Sequence, residues 1–330
     1  MERPPQAATA VSPPQDDPAA VDRPPGVPVR RFGAKTMATT LVSGFLMGSA
    51  DIVPGVSGGT VALVLGIYER VVINVRQGAR ALSLLLRGEL RHAVRALGFV
   101  EWSFLAPLLI GIGAAVLTLA SGLEHLLENE PELLAAAFFG LVLGSAVVAY
   151  TEIDDLTRWD VHLVVVASAV ATFGLLGLRS GRFEDPSLVV VFGGGALAIT
   201  AMILPGVSGS FILLMIGLYE GVLDAVNERD LVTLAVFGAG AAVGLGSFAT
   251  FLNWLLRRYH AVVLAALIGL MLGSLRVLWP WPAGVDGVGD VRLGAPPEGD
   301  LLPAVGLALA GAVAVVVIAV ASRSLSEADD

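Results

Sequence analysis

The feature that most constrains the fold is a long apolar stretch that is interrupted in its middle by Pro-Gly-x-Ser-Gly and occurs twice. The first copy begins at Gly44 with GFLMGSADIVPGVSGGTVALVLGIYERVV, and the second begins at Gly195 with GALAITAMILPGVSGSFILLMIGLYEGVL. Aligned residues such as Pro54 and Pro205 are 151 positions apart. The match continues downstream, where FFGLVLGS answers LIGLMLGS and GIGAAV answers GAGAAV. The chain is therefore a duplication of one unit.

Composition indicates that this unit is embedded in a lipid bilayer. Hydrophobic residues make up 55% of the chain, charged residues 15%, and the mean hydropathy is +0.80, which is too apolar for a soluble domain of this size. A bilayer crossing needs roughly 20 mostly apolar residues. The blocks that meet or approach this length are 103–121, 133–150, 161–178, 231–255, 261–279 and 302–321. The predicted fold class is an all-α polytopic integral membrane protein.

The chain is predicted to have a tail at each end of one membrane domain. Its first residues are rich in Pro, Ala and Asp without apolar periodicity, which is typical of disorder. The predicted parts are a disordered cytoplasmic tail over 1–36, a transmembrane transporter domain over 37–322 and a C-terminal tail over 323–330. Within the domain, the first repeat covers about 37–180 and the second about 187–322.

The interruption predicts a broken helix in each repeat. Proline removes a helical hydrogen bond and clashes with the preceding turn, and glycine permits non-helical backbone. The breaks are placed at Pro54 and Gly55, and at Pro205 and Gly206. Unwound backbone is not tolerated against lipid, so each break must face protein or a wet cavity. We expect a re-entrant hairpin of two half-helices; two short, tilted complete spans are the alternative.

The distribution of Arg and Lys predicts how the repeats are oriented. Basic residues flank the first interrupted stretch on both sides, so by the positive-inside rule both flanks are cytoplasmic. Three spans follow, which places both ends of the second interrupted stretch outside. The repeats are therefore predicted to have inverted topology, with both termini of the chain in the cytoplasm. Residues 76–97 carry arginines along one face and are predicted to form an amphipathic helix on the inner leaflet.

The half-helices that follow the breaks are the candidate substrate site. Their free N–H groups and positive dipole ends would point into the membrane midplane, where glycines allow an anion to approach the backbone. Two such ends from inverted hairpins predict one central anion site. The predicted substrate-binding residues are Ser57, Gly58, Gly59, Thr60, Ser208, Gly209 and Ser210. Close packing of small residues at a kink is the alternative reading.

Three acidic residues stand out in the apolar stretches. Asp51 lies three residues before the first break, and Met202 replaces it in the second copy. Because an acid at the bilayer centre costs about 2.5–3.5 kcal/mol on insertion scales, we expect Asp51 to carry a proton or pair with a coupling cation. An N-cap-like hydrogen bond to the broken backbone is the alternative. Glu69 and Glu220, each next to a tyrosine, are possible gate residues or interfacial anchors.

Other kinds of function find less support in the sequence. The chain has no cysteine, which excludes disulfides, thiolate metal sites and a catalytic thiol. No metal, cofactor or nucleic-acid partner is predicted. Gly55 to Gly59 fits the G-x-S-x-G pattern of serine hydrolases, but such a nucleophile needs a base nearby. The four histidines lie in loops or at the ends of spans, so an intramembrane serine hydrolase is a remote alternative.

With ADIVPGVSGGT, MILPGVSGS and two G-x-YE tails, the sequence resembles the bacterial polyprenyl-phosphate transporters of the PopT type over roughly residues 37–321. The resemblance implies a translocase in the bacterial cytoplasmic membrane that returns undecaprenyl phosphate from the outer to the inner leaflet for cell-envelope synthesis, and no enzyme activity. The expected partners are the polyprenyl phosphate lipid and the bilayer, with H+ or Na+ as the coupling ion. A secondary transporter of a small soluble anion is the alternative.

Overall fold

A computed structural model of the protein describes residues 34–51, 57–153, 157–177, 186–281, 293–297 and 301–327. Within these residues the chain forms thirteen helices. They are α1 Ala34–Asp51, α2 Gly58–Val64, α3 Tyr68–Leu86, α4 Leu90–Gly98, α5 Trp102–Asn129, α6 Pro131–Thr151, α7 Trp159–Leu175, α8 Leu188–Ile203, α9 Gly209–Met215, α10 Tyr219–Asn227, α11 Leu231–Arg258, α12 His260–Ser274 and α13 Leu301–Glu327.

Four of these helices, α5, α6, α11 and α13, are long and apolar enough to cross a bilayer. The predicted all-helical membrane fold is thus confirmed, with one difference. Two of the six predicted spans are shorter, because α7 has 17 residues and α12 has 15. At 1.5 Å per residue they measure about 26 and 22 Å, less than the roughly 30 Å hydrocarbon core. These two short helices pack against each other.

The duplication is visible in how the first helix of each repeat packs. Helix α1 lies along α5, and α8 lies along α11. Gly44 of α1 faces the backbone of Leu108, and its counterpart Gly195 of α8 faces the backbone of Phe237. Small residues at such positions let two helix backbones approach closely, which is the usual means of helix association in membranes.

The remaining long helices pair across the two repeats. Helix α6 packs on α13, and α12 packs on α7, so each repeat contributes its second span to a pair with the last span of the other. The closest backbone approaches are Gly140 to Ala308, Gly144 to Ala312, Gly269 to Val165 and Gly273 to Ala169. Since the residue numbers rise together in both partners, each pair runs parallel.

The structure corrects the sequence alignment of the two repeats in the helices that follow the hairpins. Helices α5 and α11 both contain 28 residues, and their starts are 129 positions apart. They also end alike, at Glu130 with φ −135° and ψ 48° and at Tyr259 with φ −139° and ψ 47°. Gly111 faces the backbone of Leu41, and Gly240 faces the backbone of Phe192, which is the counterpart of Leu41 in the second repeat. GIGAAV and GAGAAV are therefore offset by two residues from their apparent match.

The spacing between repeats falls from 151 positions at the hairpins to 129 at α5 because the first repeat contains 22 additional residues. They form the last part of α3 together with α4, where the second repeat has only the nine-residue α10. This is the segment predicted as one amphipathic surface helix over 76–97. That prediction is wrong in form: α3 ends at Leu86, Gly88 has φ +77°, and α3 packs along α11.

The helices also extend past the predicted limits of the membrane domain. Helix α1 begins at Ala34, inside the predicted tail over 1–36, and α13 continues to Glu327, inside the predicted tail over 323–330. The predicted disorder of the first 33 residues lies outside the described part of the chain. The domain limits otherwise stay predictions.

Candidate functional site

The two helix breaks begin where the sequence predicts them. Helix α1 ends at Asp51 and α2 begins at Gly58, while α8 ends at Ile203 and α9 begins at Gly209. The predicted break residues Pro54 and Gly55 lie outside the described residues; Pro205 and Gly206 form the observed turn. Helices α2 and α9 have seven residues each, about 10 Å, too short to complete a crossing. This length favours re-entrant hairpins over complete spans.

The backbone of the second break is held by side chains of the first repeat. Thr60 Oγ1 accepts a hydrogen bond from Gly206 N at 2.8 Å, and Tyr68 Oη donates to Ile203 O at 3.1 Å. Ser57 Oγ lies 3.4 and 3.3 Å from the carbonyl oxygens of Met202 and Leu204. Backbone groups freed by a broken helix must be satisfied inside a membrane protein, and here they are satisfied across the repeat interface.

The amino end of α2 is closed by its own repeat. Asp51 Oδ1 accepts a hydrogen bond from Gly58 N at 2.6 Å, and Ser57 Oγ accepts one from Gly59 N at 3.1 Å. Thr60 N donates to the carbonyl of Ser57 at 2.9 Å. The Asp51 carboxylate thus holds the position where a bound anion was expected. The N-cap-like alternative for Asp51 describes this conformation, and the prediction of two free helix ends is wrong for α2.

The amino end of α9 is open. Met202 stands where the first repeat has Asp51, so no carboxylate caps this helix. Among the described residues none accepts a hydrogen bond from the N–H groups of Gly209, Ser210 or Phe211. The Ser208 and Ser210 hydroxyls lie 2.8 Å from each other. These donors form a polar surface in the second repeat that the first repeat lacks.

A small polar cavity of about 210 Å³ joins the two breaks. It is lined by Asp51, Ser57, Met202, Val207, Ser208, Gly209 and Ser210. Five of the predicted functional residues therefore meet at one place. The other three predicted substrate-binding residues have packing roles. A Cβ at Gly58 would lie 2.5 Å from Asp51 Oδ2, and Gly59 faces the carbonyl group of Ile203. Thr60 is buried.

A second, apolar chamber of about 450 Å³ lies on the other side of the first break. Ala50 and Thr60 border it, and α5, α6 and α13 supply most of its wall. In the second repeat Phe211 replaces Thr60, is buried, and packs against Leu176, so its ring fills space at the corresponding position. The sequence reasoning missed this chamber. The exchange of Thr60 for Phe211 within an otherwise repeated motif was the available signal.

The two predicted gate residues have different surroundings. Glu69 Oε1 lies 2.8 Å from His260 Nε2 at the start of α12, and the adjacent Tyr68 is buried. Glu220 is exposed at the second position of α10, and the adjacent Tyr219 is 39% exposed. The first Tyr-Glu pair thus links the hairpin of the first repeat to the second repeat.

The histidines lie apart from the polar cavity. His260 contacts Glu69, and the other three have partners near in sequence. These are His92 with Glu89, His125 with Asn129, and His162 with Tyr150. Ser57 shares the cavity with Asp51 and with no histidine.

This fold and this site define a polytopic helical membrane protein built on two broken hairpins, an architecture found in secondary transporters. The chain belongs to the undecaprenyl phosphate translocase-like family, whose VCA0040-like model matches residues 47–290. It is 41% identical over 257 residues to a polyprenyl-phosphate transporter of Vibrio cholerae, covering 76% of this chain and 80% of that protein. A polyprenyl-phosphate transporter of Staphylococcus aureus is 29% identical over 257 residues, 73% of this chain and 85% of that protein. No solved structure matches the chain significantly.

Proposed function

We propose that this protein transports a polyprenyl phosphate across the bacterial cytoplasmic membrane and returns undecaprenyl phosphate from the outer to the inner leaflet. Family membership and the two relatives support the substrate class. The observation that carries the proposal is the polar cavity at Asp51 and Ser57 beside the apolar chamber at Ala50 and Thr60. A phosphate headgroup and a hydrocarbon tail need two such environments side by side.

The headgroup is bound by the open side of the polar cavity. The N–H groups at the start of α9 and the hydroxyls of Ser208 and Ser210 supply hydrogen-bond donors, which phosphate oxygens accept. Ser57 adds a donor when its hydroxyl turns from the carbonyl groups of Met202 and Leu204 to the ligand. Gly209 lines the cavity and packs closely on α8, because a Cβ there would lie 2.6 Å from the carbonyl oxygen of Ala198. No bond of the lipid is made or broken, so the protein acts as a carrier rather than an enzyme. Coupling to H+ or Na+ is assigned to Asp51, which remains accessible from the cavity.

The repeats are oriented oppositely in the membrane, with both chain termini in the cytoplasm. Support comes from two relations between helices. Tyr150 Oη and His162 Nε2 lie 2.9 Å apart and join the end of α6 to the first turn of α7, as in an antiparallel hairpin. Helix α12 runs parallel to α7. Helix α12 is therefore antiparallel to α6, which is its counterpart in the first repeat.

Cysteine labelling tests this orientation at equivalent positions of the two repeats. In the cysteine-free chain, Glu130→Cys is expected to react with a membrane-impermeant maleimide from outside the cell only. Tyr259→Cys, its counterpart 129 positions later, is expected to react from the cytoplasmic side only. Both residues end a long span in the same backbone conformation, so they are matched controls. Reaction of both variants from one side would contradict the inverted arrangement.

A reconstituted transport assay tests the function directly. Proteoliposomes loaded with radiolabelled undecaprenyl phosphate in both leaflets are treated with an external phosphatase. In protein-free liposomes the lipid of the inner leaflet is protected from the phosphatase and becomes accessible slowly. With the protein we expect this lipid to become accessible at least about tenfold faster, which corresponds to a lowering of the transport barrier by about 1.4 kcal/mol. Equal rates with and without the protein would refute transport of this lipid.

The two alternatives give different results in the same preparation. A carrier for a small soluble anion would take up radiolabelled inorganic phosphate and leave the lipid unmoved. A serine hydrolase would release phosphate without added phosphatase and would lose that activity in Ser57→Ala. The transporter should retain part of its rate in Ser57→Ala, because Ser57 is one of several donors in the cavity.

A further inference from the structure

A groove of about 700 Å³ runs between α3 and α11. Arg76 and Arg80 of α3, and Arg87 directly after its last residue, line one side of it. Ser247 and Thr250 of α11 contribute hydroxyl groups to the other side, together with small apolar residues. The arginines follow helical spacing and share one face of α3, so the groove is positively charged along its length.

The groove lies beside the middle of a membrane span. The α11 residues that line it fall between positions 239 and 250, at the centre of Leu231–Arg258. At 1.5 Å per residue they are about 12 Å or more from either end of the helix. Charged side chains at this depth are costly unless they find a partner of opposite charge or a wet cavity. Arg76 reaches Asn253 near the end of the span, and the exposed side chains of Arg80 and Arg87 are accessible to an anion in the groove.

The protein supplies little compensation for these charges. Arg76 Nη1 donates a hydrogen bond to Asn253 Oδ1 at 2.8 Å. Among the described residues no carboxylate forms an ion pair with Arg80 or Arg87, whereas Arg70 on the same helix pairs with Glu101. Guanidinium groups bind phosphate oxygens through paired, planar hydrogen bonds. The Ser247 and Thr250 hydroxyls donate to carbonyl oxygens of α11 at 2.7 and 2.8 Å, so the two guanidinium groups are the donors suited to a phosphate.

In the part of the chain that the structure describes, the groove lies between α3 of the first repeat and α11 of the second. It depends on the 22 residues that the first repeat has in addition, since the nine-residue α10 is too short to reach along α5. On α5 no helix among the described residues covers the positions that correspond to the groove residues of α11. Leu117, which corresponds to Gly246, is 87% exposed, and Ile110, which corresponds to Ala239, is 62% exposed. That face of α5 is suited to lipid tails, whereas the same face of α11 borders the groove that the arginines line.

We propose that this groove is a second site that binds the monoester phosphate of a polyprenyl phosphate on its path through the polar cavity. The proposal rests on the proposed transport function and adds a second phosphate site to it. The groove is amphipathic, because the small and apolar side chains of α11 can contact the first prenyl units while the guanidinium groups hold the phosphate. Its presence on one side only gives the transporter an inherent difference between its two leaflets.

A reporter inside the groove tests binding independently of transport. In full-length protein in phosphatidylcholine nanodiscs, Ser83→Cys is labelled with the small fluorophore bimane, and farnesyl phosphate is titrated. Ser83 lines the groove and is exposed. We expect a saturable change in emission, with an apparent affinity that falls at least about tenfold in Arg80→Gln/Arg87→Gln. The filling variant Ala242→Phe, which keeps every charge, should weaken binding to a similar extent.

A matched pair of arginines serves as the control. Arg91 and Arg95 lie on α4, are exposed, and do not line the groove. Arg91→Gln/Arg95→Gln removes the same charge and should change the affinity less than about twofold. Farnesol, inorganic phosphate and phosphatidylglycerol should not displace farnesyl phosphate. Size-exclusion profiles identify variants that fail to fold. If Arg80→Gln/Arg87→Gln fails to fold, Arg80→Lys/Arg87→Lys is tested instead. This variant keeps the charge, and we expect an affinity between those of the wild type and the glutamine variant.

The outcomes separate this inference from the proposed function. Unchanged affinity in the groove variants, equal weakening by the α4 control, or displacement by phosphatidylglycerol would each overturn the phosphate groove. Lipid transport by the wild type is measured separately in the phosphatase assay. If the wild type transports and the groove variants bind normally, only the groove is refuted. If the wild type binds farnesyl phosphate in the groove and transports nothing, only the function is refuted.

Discussion

Gly206→Ala is expected to abolish transport and to lower the yield of folded protein in the membrane. Gly206 has φ +83°, a conformation that costs a residue with a side chain about 1–2 kcal/mol. A Cβ there would lie 2.7 Å from Met271 Cα in the backbone of α12 and 2.9 Å from Ser274 Oγ. The backbone of α12 cannot yield without moving its contacts with α7. The substitution would also displace the N–H that Thr60 accepts.

The measurement is the lipid transport rate per inserted protein, together with thermal stability in detergent. We expect the rate to fall at least about tenfold, a loss of 1.4 kcal/mol or more. Gly238→Ala is the matched control, because a Cβ at Gly238 would meet no atom within 4 Å and the residue is helical. Alanine is favoured over glycine in a helix by up to about 1 kcal/mol, so this variant should be as stable as the wild type. Equal behaviour of the two variants would show that the second break is not constrained by α12.

Local chemistry explains which parts of the fold the sequence predicts well. The starts of α2 and α9 follow from proline and glycine, whose backbone restrictions act within a few residues. The duplication is likewise visible in the letters alone. The pairing of α6 with α13 and of α7 with α12 is not, because it depends on glycines meeting the backbone of helices far away in sequence. Three-dimensional packing, and not residue identity, sets the two-residue correction between Gly111 and Gly240.

The candidate site shows the same division between local and tertiary information. The sequence identifies the residues that line the cavity, including Asp51, Ser57 and Ser208. It does not show that Thr60 turns to the backbone of Gly206, or that Asp51 occupies the end of its own half-helix. Both hydrogen bonds depend on which donor or acceptor the tertiary structure brings close to these side chains. Two copies of one motif thus give an unlike pair of helix ends, one closed and one open.

Under the proposed function, we expect this asymmetry to link the charge of Asp51 to the occupancy of the cavity. A phosphate in a cavity of about 210 Å³ would lie close to the Asp51 carboxylate, and like charges in such a site repel strongly. Uptake of a proton or a sodium ion at Asp51 removes the repulsion. Linkage is reciprocal, so an ion that favours substrate binding is itself bound more tightly when substrate is present. A gradient of that ion can therefore bias transport.

Asp51→Asn is expected to leave the protein inserted and able to move lipid, but to remove the response of transport to a proton gradient. Asparagine keeps an oxygen that can accept from Gly58 N and fixes the site in a neutral state. A pH difference of one unit corresponds to about 1.4 kcal/mol, or about tenfold in an equilibrium. Wild-type transport in proteoliposomes should therefore change up to about tenfold with such a gradient imposed, and Asp51→Asn should not change.

The control is Asp160→Asn, which removes an exposed carboxylate that pairs with Arg158 at the start of α7, away from the cavity. It should retain the full response to pH. Replacing the pH gradient by a sodium gradient distinguishes the two candidate ions, since only the coupling ion should stimulate the wild type. If Asp51→Asn and the wild type respond equally to both gradients, Asp51 serves only to cap α2, because a group whose charge is the same in both states cannot couple a gradient to movement.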